Sequence, residues 1–164
     1  MTAKKSIVAR REELIDQLYP GRRGLGAWSA FIRAHATLSR AMDVRLQEAT
    51  GCSLADFDVL SQIGGADGRL RMAELADRVL VSRSGLTRRV ARLEEEGLVQ
   101  RCAADDDGRG VVVCLTEAGV KRMTETTRAH AGDVKALFMS LLSDSDLETI
   151  ERALRKVIVD CSFG

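Results

Sequence analysis

Apolar residues recur at three- and four-residue intervals through most of this chain, which places them on one face of successive helices. Ile7, Val8, Leu14, Ile15 and Leu18 mark a short leading helix over residues 6–18, and Tyr19-Pro20-Gly21 stops it. From Gly26 to about Ala49 the positions Trp28, Phe31, Ile32, His35, Leu38, Met42 and Leu46 keep to one face, until Thr50-Gly51. Ser53 and Asp56 then form a capping-box variant ahead of a stripe of Leu54, Phe57, Leu60 and Ile63, closed by Gly64-Gly65.

The pattern shortens in the middle of the chain. Arg69–Arg71 has room for one edge strand, and Met72–Val79 for a brief helix with Leu75, Ala76 and Val79 inward. Ser82 is a good N-cap for a helix running to about Glu96, with Gly97 in the position that favours left-handed φ. Two short helices joined by a tight turn predict a helix-turn-helix. Leu98–Cys102 and Val111–Leu115 are β-rich runs separated by the polar turn chemistry of residues 103–110, which predicts a wing. Thr116 caps a long helix whose apolar residues persist from Val120 to Leu141, about seven turns and on the order of 38 Å. Ser143 and Asp146 repeat the capping box before a last helix with Leu147, Ile150, Leu154, Val157, Ile158 and Cys161 at nearly heptad spacing. The fold class is therefore mainly α with a small β wing. A winged helix-turn-helix spans 53–115, with its recognition helix at 82–96 and its wing at 98–115. Helical segments at 6–49 and 116–162 flank it within a single domain of 1–164.

Composition narrows the function. A chain of 164 residues supports one core, and 45% hydrophobic with 30% charged residues is ordinary for a globular protein. No apolar run approaches the roughly 20 residues of a membrane span, and the basic N-terminus lacks a signal-peptide core, so a cytoplasmic protein without membrane partners is expected. Four cysteines without a CxxC pair and two histidines argue against a disulfide framework, a zinc site or any cofactor. The net charge of +1 says little by itself, but its distribution does. Residues 71–92 carry net +4 and residues 94–107 net −5, which suggests one face built for an anion and another kept away from it.

With Leu86, Val90 and Leu93 inward, the 82–96 helix turns Ser84, Arg88, Ala91 and Glu95 outward, flanked by Thr87 and Arg92. A small, hydroxylic and cationic N-terminal half suits entry into the DNA major groove, where Arg bridges guanine O6 and N7. Glu94-Glu95-Glu96 would be repelled by phosphate, so the N-terminal end points into the groove. Arg71, Ser82, Arg83, Ser84, Thr87, Arg88 and Arg92 are the candidate DNA contacts on these elements.

The stretches Leu75-Ala76…Val81-Ser82-Arg83-Ser84-x-Leu86-Thr87-Arg88…Leu93-Glu94-x-x-Gly97-Leu98-Val99 and Arg101…Asp107-x-Arg109…Leu115-Thr116-x-x-Gly119 resemble the multiple-antibiotic-resistance regulator (MarR) family of winged-helix transcription factors. The resemblance implies a homodimer with one recognition helix per subunit in successive major grooves of a double-stranded operator. It also implies a wing whose Arg109 reaches the minor groove, held by Asp107 through an ion pair, and repression as the usual mode. A narrow A·T-rich minor groove concentrates negative potential, which agrees with that role for Arg109. Asp105 and Asp106 depart from a cationic wing and read as turn-capping residues. The apolar stripes of the terminal helices exceed what one small domain hides, and two-fold pairing would cover them.

Members of the family often sense a small aromatic or phenolic anion. Trp28, Phe31, Arg33, His35, Met42 and Phe57 are the candidate lining residues for such an effector, combining aromatic surface with cationic groups. Oxidation sensing is an alternative, with Cys102 beside Arg101 as the candidate thiol. A winged helix that binds protein instead of DNA is a third reading, which Ser84, Thr87 and Arg88 argue against. His35 and His130 lie in long helices with no triad or phosphate loop nearby, so no catalytic residue is expected.

Overall fold

The computed structural model describes residues 6–22, 24–79, 81–102 and 110–161. The chain divides into two compact units, Met1–Ser39 and Arg40–Gly164, with one long helix running across the boundary.

In the first unit Ser6 caps α1 (Ile7–Leu18), its hydroxyl accepting the Ala9 N–H at 3.1 Å, so one free donor of the first turn is satisfied. Pro20–Arg22 then forms a single 3-10 turn in which Gly21 adopts φ 69°. Arg22 pins the turn to α1 by donating to Asp16 at 2.7 Å and Glu12 at 2.6 Å. The second helix, α2 (Leu25–Thr50), carries Trp28 and Phe31 with ring centroids 6.3 Å apart.

The second unit holds the core. The C-terminal half of α2 buries Met42 and Leu46, and the Asp43 carboxylate accepts the Leu54 N–H at 2.8 Å at the start of α3 (Leu54–Gly64). Val59, Leu60 and Ile63 of α3 are fully buried. Around them pack β1 (Arg69–Arg71), α4 (Met72–Arg78), α5 (Arg83–Glu95), β2 (Val99–Cys102), β3 (Val112–Leu115) and α6 (Glu117–Leu137). The three strands form an antiparallel sheet in the order β1-β3-β2, with Leu70 and Arg101 both opposite Val113. Arg45 of α2 reaches Asp133 of α6 at 3.1 Å.

Thr116 and Gly119 weld the wing to α6. The Thr116 hydroxyl donates to the Gly97 carbonyl at 2.6 Å and accepts the Gly119 N–H at 3.0 Å, while the Thr116 N–H donates to Leu98 O at 3.1 Å. A side chain at 119 would put its Cβ 1.9 Å from Leu98 O, so the close approach requires glycine. That is the physical content of the Leu115-Thr116-x-x-Gly119 signature.

Element boundaries follow the sequence expectation closely, with one difference at the long helix. It ends at Leu137, about 32 Å in 21 residues instead of 38 Å. Phe138 leaves helical geometry at φ −128°, and Met139–Leu141 forms a 3-10 turn. The Ser140 hydroxyl donates to Lys135 O at 2.8 Å and the Phe138 N–H to Val134 O, so end carbonyls are satisfied without Gly or Pro. The last helix, α7 (Asp144–Cys161), starts with the expected capping box: Ser143 N–H donates to Asp146 at 3.1 Å and Asp146 N–H to the Ser143 hydroxyl at 3.2 Å.

Candidate nucleic-acid interface

The helix-turn-helix consists of α4, a tight turn, and α5. Ser82 caps α5 by accepting the Gly85 N–H at 3.2 Å, and Leu86, Val90 and Leu93 are buried in the core beneath it. Burial of these three fixes which face looks out. Ser84, Thr87, Arg88 and Glu95 are exposed, with Ala91 half-buried between them. The Thr87 hydroxyl donates to Arg83 O at 3.0 Å, so toward a ligand it presents lone pairs and a methyl group. Arg83, on the first turn, pairs with Asp77 of α4 at 3.1 Å. No described acidic residue pairs with Arg88.

The two other arginines of α5 are occupied. Asp56, a buried carboxylate on the first turn of α3, accepts Arg89 Nη1 at 2.6 Å and also Arg92 Nη2. Its second oxygen accepts the Ser53 hydroxyl at 2.5 Å, and the same hydroxyl accepts the Asp56 N–H at 3.1 Å. Burial alone would raise the Asp56 carboxyl; the Ser53 and Arg89 hydrogen bonds and the charges of Arg89 and Arg92 outweigh it and hold it below the ordinary carboxylate value. Arg92, expected as a DNA contact, therefore has its guanidinium between Asp56 and Glu96, the latter at 3.5 Å. Arg89, read only as part of the positive run, anchors the helix. The Ser53-x-x-Asp56 spacing announced the cap, but nothing local to it announced two arginines some 35 residues away.

The acidic end of α5 is also engaged, with Glu94 pairing with Arg101 of β2 at 3.2 Å. Arg101, Arg71 at the end of β1, Met72, Thr87 and Val111 line an open cavity of about 490 Å³ between the helix-turn-helix and the wing. Cationic groups ring an apolar floor there.

The wing is built on β2 and β3, with β3 central. Asp107 and Arg109, the wing-tip residues expected at DNA, lie outside the described residues, as do Asp105 and Asp106. The argument against a disulfide framework is overturned at one pair: Cys102 and Cys114 are disulfide-bonded, with Cα atoms 6.2 Å apart. The pairing of Cys102 with Val112 and of Gln100 with Cys114 puts both cysteines on one face as diagonal neighbours. The two cysteines are twelve positions apart in sequence, so no CxxC-like spacing reveals the pair. The candidate redox residue Cys102 is thus one half of a cystine. Cys52 is free and buried; burial, then the Asp56 charge, push its thiol up.

The candidate effector residues separate by exposure. Trp28, Phe31, Arg33 and His35 are exposed on α2, in the first unit. Met42 and Phe57 are buried in the second, where the Phe57 ring lies 5.0 Å from the His130 ring and packs in the core. Among the described residues no three His, Cys, Asp or Glu side chains come together as a metal site would require, and no helix is long and apolar enough to cross a membrane.

A family profile described as MarR family matches residues 50–110, the helix-turn-helix and the wing strand that follows it. The structure is similar to AbsC, a MarR family transcriptional regulator from Streptomyces coelicolor: TM-score 0.78, 28% identity, covering 85% of this chain and 95% of that one. Sco3205, a MarR family transcriptional regulator from the same organism solved in complex with DNA, gives 0.74 and 29%, covering 80% of this chain and 83% of its own. A mutant MarR from E. coli complexed with operator DNA gives 0.71 and 27%, covering 88% and 97%.

Proposed function

This chain belongs to the MarR family of winged-helix, DNA-binding transcriptional regulators, and from that premise we propose that it is a homodimeric repressor of a pseudo-palindromic operator, released by a small aromatic or anionic effector. The observation that carries the reading is the outward face of α5: Ser84, Thr87 and Arg88 stand exposed over a fully buried Leu86, Val90 and Leu93. In the operator contact α5 enters the major groove, Arg88 reads a base edge, and Ser82, Ser84, Thr87 and Arg83 meet base edges and phosphates. Arg71 approaches the backbone beside the wing, and Asp107 orients Arg109 in the minor groove.

Dimerisation is supported by apolar side chains left at the surface of the terminal helices. Ile7, Leu14 and Leu18 of α1, Trp28 and Phe31 of α2, Leu141, and Val157 and Val159 of α7 are all exposed, and a second copy would cover them. Two α5 helices would then meet half-sites about one turn, roughly 34 Å, apart. Effector binding is supported by the cavity between Thr87, Arg71 and Arg101, whose apolar floor and cations suit an aromatic carboxylate. An anion there would hold Thr87 and Arg71 away from DNA. Trp28, Phe31, Arg33 and His35 offer a second aromatic and cationic location on α2.

The test is binding to duplex fragments upstream of the protein's own coding sequence, across a salt series and with aromatic acids added. Affinity that falls linearly in log salt, and a compound that both raises Tm and frees the duplex, support the reading. Absence of affinity in dilute buffer refutes it.

A second reading, redox control, is favoured by the Cys102–Cys114 bond at the base of the wing. A hydroperoxide would oxidise the two thiols to the disulfide, itself reduced to alcohol and water, and the bond would brace the strands that carry Arg109. Alkylation followed by mass measurement, alongside duplex affinity of both forms, tests it. Equal affinity of the reduced and oxidised chain would exclude it.

A further inference from the structure

Of the six arginines between residues 71 and 92, two are held by a buried carboxylate: Arg89, largely covered, and Arg92, half exposed. Arg89 and Arg92 lie one turn apart on α5 and converge on a single oxygen of Asp56, while Ser53 holds the other oxygen. The carboxylate is buried and sits on α3, which is itself at the centre of the core. Two contacts spaced by three residues on one helix resist rotation of that helix about its own axis, which a single contact does not. Apolar packing of Leu86, Val90 and Leu93 sets the depth of α5 but leaves small rolls cheap. Even a fraction of the roughly 100° that separates successive residues would carry the long Arg88 side chain away from a base edge in the groove.

We propose that Asp56 is a positioning and specificity-determining residue for DNA reading: it fixes the roll of α5 and withholds Arg89 and Arg92 from the phosphates. Every arginine that reaches a phosphate adds sequence-independent affinity and steepens the salt dependence by about 0.9 in log–log slope. Engaging two per subunit on Asp56 lowers the background against which base contacts discriminate. Arg92 keeps Glu96 as a second partner at 3.5 Å, so it stays lateral to the groove-facing residues. The inference rests on α5 being the reading helix, and the experiment separates the two claims.

The wild-type full chain first selects duplexes from a random library, and the selected duplex and a scrambled one of equal length serve as probes for Asp56→Asn and Arg92→Gln. If wild type selects nothing, the reading of α5 fails and not this inference alone. For Asp56→Asn the expected outcome is a fall of at least tenfold in the ratio of selected to scrambled affinity. Affinity for the scrambled duplex should hold or rise, and the salt slope should steepen by about one or more as arginines reach phosphates. For Arg92→Gln, a half-exposed position, the selected affinity should fall with no loss of salt slope. An Asp56→Asn chain that loses both affinities in proportion, or keeps both, overturns the proposal. So does an Arg92→Gln slope that drops by about one per subunit, because that places Arg92 on a phosphate.

Discussion

Replacing Arg88 by Ala tests the assignment of α5 with little ambiguity. The side chain is exposed, pairs with no described acid and supports no core residue, so the fold should be indifferent to it, within about 0.5 kcal/mol. At the operator it is the longest donor on the outward face, and a bidentate Arg–guanine contact discriminates by about 1–3 kcal/mol. Two copies in a dimer double that to about 2–6 kcal/mol, a loss of roughly thirtyfold to twenty-thousandfold in affinity. Scrambled DNA should be bound as before. Fluorescence anisotropy on the selected duplex and its scrambled control reads both numbers, and a thermal melt reads stability. If the melt shifts by many degrees, Arg88 is structural. Should both duplexes weaken equally and the salt slope fall by about two, it contacts phosphate and not bases. Unchanged affinity for the selected duplex refutes the interface.

Other perturbations probe the scaffold around that helix. Gly119→Ala forces a Cβ toward Leu98 O and should cost about 1–3 kcal/mol, lowering Tm by about 2–4 °C per kcal/mol in a scanning melt. Asp56 ionises below its ordinary 3.8 in the folded chain, so its stabilisation is present above that value and is lost as pH falls through the folded pKa. Wild type should exceed Asp56→Asn by about 3 kcal/mol in urea at neutral pH, and the two should converge at strongly acidic pH; a gap that widens in acid would contradict the ion-pair assignment. Val157→Asp introduces charge into an exposed apolar stretch of α7 and should shift the chain toward monomer in sedimentation, with loss of operator binding and retention of helix content.

How far the sequence discloses this architecture depends on the range over which each signal acts. Caps and periodicity are local, and Ser53, Ser82, Thr116 and Ser143 start their helices where the pattern places them. The outward face of α5 is legible for the same reason, since Leu86, Val90 and Leu93 identify the buried side and geometry supplies the other. Nonlocal partners are not legible. Net charge along the chain suggests that Arg92 and Glu94–Glu96 belong to opposed faces, yet Arg92 pairs with Glu96, and Glu94 with Arg101. Asp56 reads as a capping residue because its arginines arrive from another helix. The cystine depends on strand register, which alternation constrains only once the hairpin partner is known. Phe138 ends α6 without a breaker residue, through a serine hydroxyl two positions on, and periodicity does not see that.

The central claim is that two α5 helices read one duplex together, and the spacing of half-sites in duplexes selected by the full-length chain measures it most directly. Two inverted half-sites centred about 10–10.5 base pairs apart, bound by two chains in sedimentation of the labelled duplex, are the predicted result. Selection of a single undivided half-site bound by one chain, or no enrichment over the starting library, would contradict it.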